Sequence, residues 1–501
     1  MREFTLLLIL SLLFAAPAIA QSPTATINGI VLDPSGAAIA GAQVVVVNDA
    51  TEVQYTTKTN GEGIYVVPNL PPGPYRIQVS NSGFKTIIKP DIVIHVQDAL
   101  AINFTLPIGA TSEVVTVKGG APLLNTENAS VSTVVDRTYV ENMPLNGRSF
   151  QDLILLTPGV LTNSPQQAAA IGQSGEFSVN GQRTESNYYS VDGVSANVGI
   201  YPGFAGTPSS GGSLPAATAL GTTQGLVSVD ALQEFRVQSS TYSAEYGRNP
   251  GGQFSIATRS GTNEWHGTLF DYFRNDALDA NDWFNNYYGK GAPALRQNDF
   301  GGTLGGPVRL PALYNGKDRT FFFFSYEGLR LVQPQAASLS YVPDTALRQA
   351  APVALQPVLN SFPVQNGAEI VDQQGNQTGL AQFIGTWSNP SQIDAYSVRL
   401  DHNFSEKLKI FFRFSDVPSS ANTRPTGAYA NPANDVATDF TTRTLTLGAN
   451  SLLSARLVNE FRINYSSNEA ISSYGLSNLG GAKAADLAQL QGDQSGDESL
   501  L

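Results

Sequence analysis

Three stretches in the second half of the chain alternate apolar and polar residues at the length a bilayer-crossing strand needs. Tyr396, Val398, Leu400, His402 and Phe404 share one face, with Ser397, Arg399, Asp401 and Asn403 on the other. Leu408, Ile410, Phe412 and Phe414 alternate with Lys407, Lys409, Arg413 and Ser415, and Phe411 breaks the pattern. Leu457, Asn459, Phe461, Ile463 and Tyr465 alternate with Val458, Glu460, Arg462, Asn464 and Ser466. No run after the N-terminus reaches the roughly 18 consecutive apolar residues of a crossing helix. A soluble sandwich also alternates, so connection lengths must decide. The links at 404–407 and 450–455 are short, and those at 330–392 and 416–439 are long. Short turns at one end and long loops at the other are the pattern of outer-membrane barrels. Counted from Trp265 as an outward strand, the short turns and the stretch 309–319 fall on the periplasmic side.

The N-terminus agrees with export. Arg2, the apolar run Phe4 to Phe14 and the small-residue site Ala18-Ile19-Ala20 form a secretory signal, with cleavage expected between Ala20 and Gln21. An exported chain that enters a membrane without helices must close its hydrogen bonds in a barrel. Composition narrows the rest. Among 501 residues there are 47 Gly and 29 Pro, which suit short strands and turns. The net charge of -12, with scattered Lys and Arg, argues against nucleic acid as a partner. With no Cys and three His there is no disulfide framework, cysteine zinc site or thiol chemistry. No GxSxG or HExxH occurs, so the expectation is a protein with no catalytic residues, metal or cofactor. The glycines from Gly301 to Gly306 lack the spacing and the Lys-Ser/Thr ending of a phosphate loop.

From Thr24 to Gly109 short strands alternate with turns such as Asp33-Pro34-Ser35-Gly36 and Asn60-Gly61-Glu62-Gly63, which predicts a β-sandwich. Gly29 to Asp33, Gly41 to Val44, Thr59 to Tyr65 and Leu70 to Tyr75 resemble a carboxypeptidase regulatory-like domain. Peptidase chemistry does not follow, because no His/Glu pair stands at ligand spacing. His95, in the alternating run Ile92 to Val96, is read as a strand-surface residue. Glu113, Val114, Val115, Thr116 and Val117 form an extended, β-branched segment bounded by Gly119-Gly120. It suits the closing strand of the sandwich. It also suits an edge strand offered to a periplasmic partner, which needs only free backbone groups.

The middle of the chain carries the most specific resemblance. Val134-Val135-Asp136, Leu145-Asn146-Gly147-Arg148 and Pro158-Gly159-Val160 resemble the opening of a TonB-dependent receptor plug. Phe177 to Arg183, with Asn180, Gly181 and Arg183, resembles its middle, as does Tyr189 to Val194 with Asp192 and Gly193. Ala244 to Arg248, with Tyr246, Gly247 and Arg248, resembles its end. Trp265 to Asn275, Asp299 to Pro307 and Phe321 to Leu329 match the first wall strands of the same family. The resemblance implies a mainly β chain: signal peptide 1–20, β-sandwich 21–110, linker 111–120 with Glu113–Val117 as TonB box, α+β plug 121–262, and part of an antiparallel transmembrane β-barrel over 263–501. It implies uptake of an unidentified extracellular ligand, with outer-membrane lipid around the wall and a TonB-type energy-transducing protein as periplasmic partner. The rival is a structural or adhesive surface protein of the same fold. About seven strands follow the plug where plugged transporters have about 22, so a truncated chain is expected. Phe321 to Phe324, apolar on both faces, could pack on the plug or join an aromatic girdle. Asp282-Trp283-Phe284-Asn285-Asn286-Tyr287-Tyr288, in the first outer loop, suits a membrane-interface belt or a stacking surface for a sugar.

Overall fold

The computed structural model describes residues 23–117, 130–143, 145, 148–162, 177–183, 186–201, 209–215, 218–242, 246, 249–454 and 457–485. The signal segment with Ala20 and Gln21, and the motif residues Gly247 and Arg248, lie outside the described residues.

The N-terminal sandwich has nine strands: β1 (Ala25–Leu32), β2 (Gln43–Asn48), β3 (Gln54–Lys58), β4 (Ile64–Leu70), β5 (Gly73–Ser80), β6 (Thr86–Ile94), β7 (Ala99–Ala101), β8 (Phe104–Thr105) and β9 (Val114–Thr116). One sheet runs β4-β1-β7 with β8 also on β1, and the other runs β3-β2-β5-β6-β9. Alternate residues such as Val44, Val46, Ile77 and Val79 close the core between them. Both turn sequences behave as their chemistry dictates. The Asp33 carboxylate accepts the backbone N–H of Ser35 and Ala37, and the Asn60 side chain accepts those of Glu62 and Ile64. Residues 114–116, within the stretch read from sequence as a linker, form an edge strand of this sheet, as the closing-strand reading allows. β9 lies parallel to β6 in the register Thr86↔Val114, Ile87↔Val115, Ile88↔Thr116.

The segment that the resemblance takes for a plug follows: β10 (Val131–Val135), helix α1 (Arg137–Asn142), helix α2 (Gln151–Ile154), β11 (Val160–Thr162), β12 (Phe177–Val179), β13 (Tyr188–Val191), β14 (Val194–Ser195), β15 (Asn197–Tyr201), β16 (Ser209–Pro215), β17 (Leu232–Ser240) and β18 (Gln253–Thr258). Its main sheet runs β10-β17-β18-β13-β14. Asp136 caps α1 by accepting the Tyr139 N–H at 3.1 Å. Asp192 and Gly193, with φ of 49° and 83°, make the two-residue turn between β13 and β14, where Val191 pairs with Val194.

The wall is one sheet: β19 (His266–Asn275), β20 (Arg296–Pro307), then after a small hairpin of β21 (Arg309–Leu310) and β22 (Tyr314–Asn315), β23 (Thr320–Pro343), β24 (Glu369–Val371), β25 (Gln377–Ser405), β26 (Leu408–Thr423), β27 (Asn434–Ser454) and β28 (Leu457–Leu476). Its order is β19-β20-β23-β25-β26-β27-β28, with β24 on the rim of β25. The alternation read in the sequence separates lumen from exterior. Arg399, Asp401, Arg413 and Ser415 turn toward the plug side, while Leu400, Phe412, Ile463 and Tyr465 face out. The four phenylalanines of β23 divide: Phe321 and Phe323 are buried inside, and Phe323 joins the plug core. Phe322 meets Trp265, and Phe324 is exposed outside. Phe411, the exception in its strand, lies on the inner face beneath the guanidinium groups of Arg399 and Arg462, 4.8 and 5.0 Å from its ring centre.

The strands are longer than the sequence suggests. β23 and β25 have 24 and 29 residues, against the 9–11 or so that cross lipid. The connections read as 330–392 and 416–439 therefore shrink to 344–376 and 424–433. Above the lipid both faces of a strand meet water, so its backbone ladder continues without the apolar alternation that marks a crossing segment.

Candidate functional site

The plug is seated against the inner wall by buried charges. Asp192, at the β13–β14 turn, accepts the Thr258 N–H at 3.0 Å and the Thr258 hydroxyl at 2.8 Å. Its carboxylate also lies 3.2 Å from Arg399 Nη1 on β25 and 3.2 Å from Arg413 Nε on β26. Arg399 is held in turn by Asp401 at 2.9 Å. A second seat centres on Arg148, whose guanidinium lies 2.6 Å from Asp230 and 4.0 Å from Glu327 of β23. It also stacks 4.1 Å over the Phe270 ring of β19. The Gln224 amide bridges the two bodies, donating to the Arg148 carbonyl at 3.0 Å and to Glu327 at 3.4 Å. At a third place the Ala219 N–H donates to Ser419 Oγ of β26 at 2.8 Å, and Leu220 packs against Leu329, Ile393, Ala395 and Val417 of the wall. Buried charges of this kind are worth little net stability, yet removing one partner strands the other. They fix where the plug sits.

Other motif residues serve the plug itself. Asn180 and Gly181 have φ of 51° and 77° and turn the chain after β12, where the Gln182 N–H bonds to the Val179 carbonyl at 3.0 Å. The Asn180 amide donates to the Ser239 carbonyl of β17 at 3.0 Å. Arg183 is exposed, and its carbonyl accepts the Ser186 N–H at 2.9 Å. Tyr246 is buried, and its hydroxyl accepts a hydrogen bond from Gln97 of the sandwich.

The sandwich lies at the short-turn end of the wall. Lys409 Nζ sits 3.4 Å above the Tyr55 ring, and the Asn263 N–H donates to the Ala50 carbonyl at 3.0 Å. His95 is not the strand-surface residue the sequence suggested. It follows β6 in a turn that touches the plug, with Nδ1 2.9 Å from Glu234 Oε2. That hydrogen bond, with the charges of Glu234, Asp98 and Asp136, outweighs burial and raises the imidazole above its ordinary pKa. Local pattern could not reveal a partner 139 residues away.

Glu113–Val117 is placed on the far side of the same sheet. The Glu113 carbonyl accepts the Thr86 N–H, and the Val117 N–H donates to the Ile88 carbonyl, both at 2.9 Å. Lys85 pairs with Glu113 at 2.6 Å. Alternate residues of a strand aim their backbone groups to opposite sides. The N–H and C=O of Val114 and Thr116 therefore point to the outer edge of the sheet, where no strand follows β9 among the described residues.

The first outer loop holds a short helix, α3 (Trp283–Tyr287), capped by Asp282. Trp283 stacks on Tyr287 at 5.2 Å, and both rings are exposed. Asn285 anchors the helix by accepting the Ala337 N–H at 2.7 Å. The rings of Tyr326 and Tyr396 lie 5.0 Å apart on the outer face of the wall. Ala337 lies eleven residues further along β23, roughly 25 Å higher for a tilted strand.

Residues 257–499 match the outer membrane beta barrel domain, and residues 26–107 match the carboxypeptidase regulatory-like domain. Over 342 residues, 65% of the chain, it is 28% identical to the TonB-dependent transporter Oar of Myxococcus xanthus. The chain carries an outer membrane beta barrel domain and is similar to a TonB-dependent transporter. It spans 28% of the length of that curated relative. Among solved structures it is similar to the outer membrane transporter YddB of Escherichia coli, at 14% identity and a TM-score of 0.44 over 68% of this chain and 39% of the other. It is also similar to the siderophore receptor PirA of Acinetobacter baumannii, at 13% identity and a TM-score of 0.37 over 70% and 45%. The chain is an outer-membrane protein, mainly β, and the curated protein it matches is named a transporter. Among the described residues no group of three or more His, Cys, Asp or Glu could hold a metal ion.

Proposed function

We propose that the protein imports a ligand across the outer membrane, driven by a TonB-type energy-transducing protein that pairs with β9 and displaces the plug. The observation that carries this reading is the plug's seat: a folded body held to the lumen face through Asp192, Arg399 and Arg413, where a conduit would run. The free edge of Val114 and Thr116 supplies the docking strand. Pairing there needs only backbone groups, so a partner strand can add to the sheet without disturbing the sandwich core. Short turns are periplasmic in outer-membrane barrels, and the sandwich sits at that end, where such a partner works. The relationship to a protein named as a TonB-dependent transporter supports the same reading. No bond chemistry or cofactor is involved.

Thr116→Pro tests it in the full-length protein. Proline removes an N–H on the open side, which the β6 pairing does not use. The sandwich should keep its melting temperature and the loops should keep their ligand. Binding of the partner's periplasmic domain and uptake should both be lost. Uptake at the unaltered rate would refute the docking strand. The exposed aromatic helix and the strands that rise beyond the lipid favour a second reading, adhesion without transport. It predicts no partner binding to the unaltered protein.

A further inference from the structure

The strand β17 presents two different faces. Phe235 and Val237 point into the plug core, while Glu234, Arg236 and Gln238 point at the N-terminal sandwich. The turn His95–Asp98, directly after β6, covers that polar ladder. The Val96 N–H donates to Glu234, and the Val96 carbonyl accepts Arg236 Nε at 2.7 Å. Asp98 pairs with Arg236, and both are buried. Gln97 joins Gln238 at 3.3 Å and reaches Tyr246. Arg236 extends one step further, donating from Nη1 to Ser132 Oγ of β10 at 3.0 Å. One guanidinium thus ties the sandwich to both β17 and β10, which are paired through Val134↔Arg236. β10 is the edge of the plug sheet and the first plug strand after β9 in the chain.

We propose that the N-terminal sandwich is a retainer for the plug. It clamps the β10–β17 edge, and the plug opens only when load passing along the chain from β9 to β10 breaks the Glu234–Arg236–Asp98 contact. The composition of the contact suits repeated use. Once parted, both halves present hydratable charges and amides, whereas parted apolar faces would stay sticky. Breaking buried paired charges is also costly and abrupt, so the contact holds until a threshold load and then releases. The inference rests on the import reading proposed above.

The test uses the full-length protein in outer-membrane vesicles. The double variant Glu234→Gln/Asp98→Asn keeps shape but removes both charges. Amide exchange in β10 and β17 should quicken by about 100-fold, and a bulky antibiotic that is normally excluded should leak in. The sandwich should keep its own melting temperature in this variant, which a merely misfolded sandwich would not do. Unchanged exchange in the double variant would overturn the retainer. Faster exchange with lost uptake and no leak would also overturn it, because the sandwich would then be a link that must stay attached. Binding of the partner's periplasmic domain to β9 is measured in parallel. Its absence from the unaltered protein would sink the import reading by itself, while the exchange and leak results would still decide the clamp.

Discussion

At the scale of single residues, position in the chain says less than position across a body boundary. Asp192 was legible as the first residue of a Gly-containing turn, and its φ of 49° bears that out. Its second role, facing Arg399 and Arg413, was not, because those arginines lie more than 200 residues away. The sequence did mark them as lumen-facing charges on otherwise apolar strands. Asp192→Asn keeps the turn and leaves two buried guanidinium groups short of a carboxylate. It should cost about 3–5 kcal/mol of plug seating, read as an earlier proteolytic cut or melting step of the plug in the intact protein. His95 gives a pH-dependent counterpart. The groups that face it are Glu234, Asp98 and Asp136, with Arg236 beside them. Its pKa is raised on docking, so its contribution is complete below the ordinary value of 6.5 and fades as pH rises through the raised value. Exchange protection of the Val96 amide should fall on raising the pH from 6 to about 8, after correction for intrinsic exchange. His95→Gln should flatten that dependence, and an equal fall in both proteins would exclude His95 as its source.

At the scale of elements, alternation revealed which residues face lipid but not where strands end. Leu408 to Phe414 and Tyr396 to Phe404 were legible because one face is apolar over the whole lipid depth. The upper parts of β23 and β25 carry residues such as Ser338, Ser340 and Gln382, whose pairing is specified by the neighbouring backbone and not by their own pattern. β9 illustrates a different limit. Three β-branched or apolar residues in a row suit a closing strand and a docking strand equally, and the structure gives the segment an inner side bonded to β6 and an open outer side. β23 offers a sharp test of the two faces. Phe323 is buried in the plug core, whereas Phe324 is partly exposed on the outside. Phe323→Ala should destabilise by about 3–5 kcal/mol through cavity formation. Phe324→Ala should cost clearly less, since lipid or detergent fills the space it leaves. Equal losses in urea unfolding from lipid vesicles would contradict the assignment of faces.

At the scale of the whole molecule, the sandwich sits at the short-turn end of the wall, the plug packs on its inner face, and the wall strands run on beyond the outer aromatic pair. That order fixes where lipid must lie. Between Phe404 and Tyr396 the outward residues of β25 include Leu400 and Val398, and above Tyr396 come Asp394 and Gln392. Asp394 is bound to Arg330 and to the Tyr326 hydroxyl, an arrangement suited to headgroups and water. From Phe404 to Tyr396 the tilted strand rises roughly 20 Å, close to the ~25 Å apolar band of such walls. A charge placed along this strand should therefore report depth. Leu400→Arg, near the middle of the band, should cost about 2–4 kcal/mol, and Gln392→Arg, past its upper rim, at most about 1 kcal/mol. Both are measured by reversible folding of the full-length protein into lipid vesicles. The ordering matters more than the size. If Gln392→Arg were the costlier change, the membrane would lie higher on the wall, α3 would fall at its interface, and the exposed rings of Trp283 and Tyr287 would be lipid anchors with no role in binding.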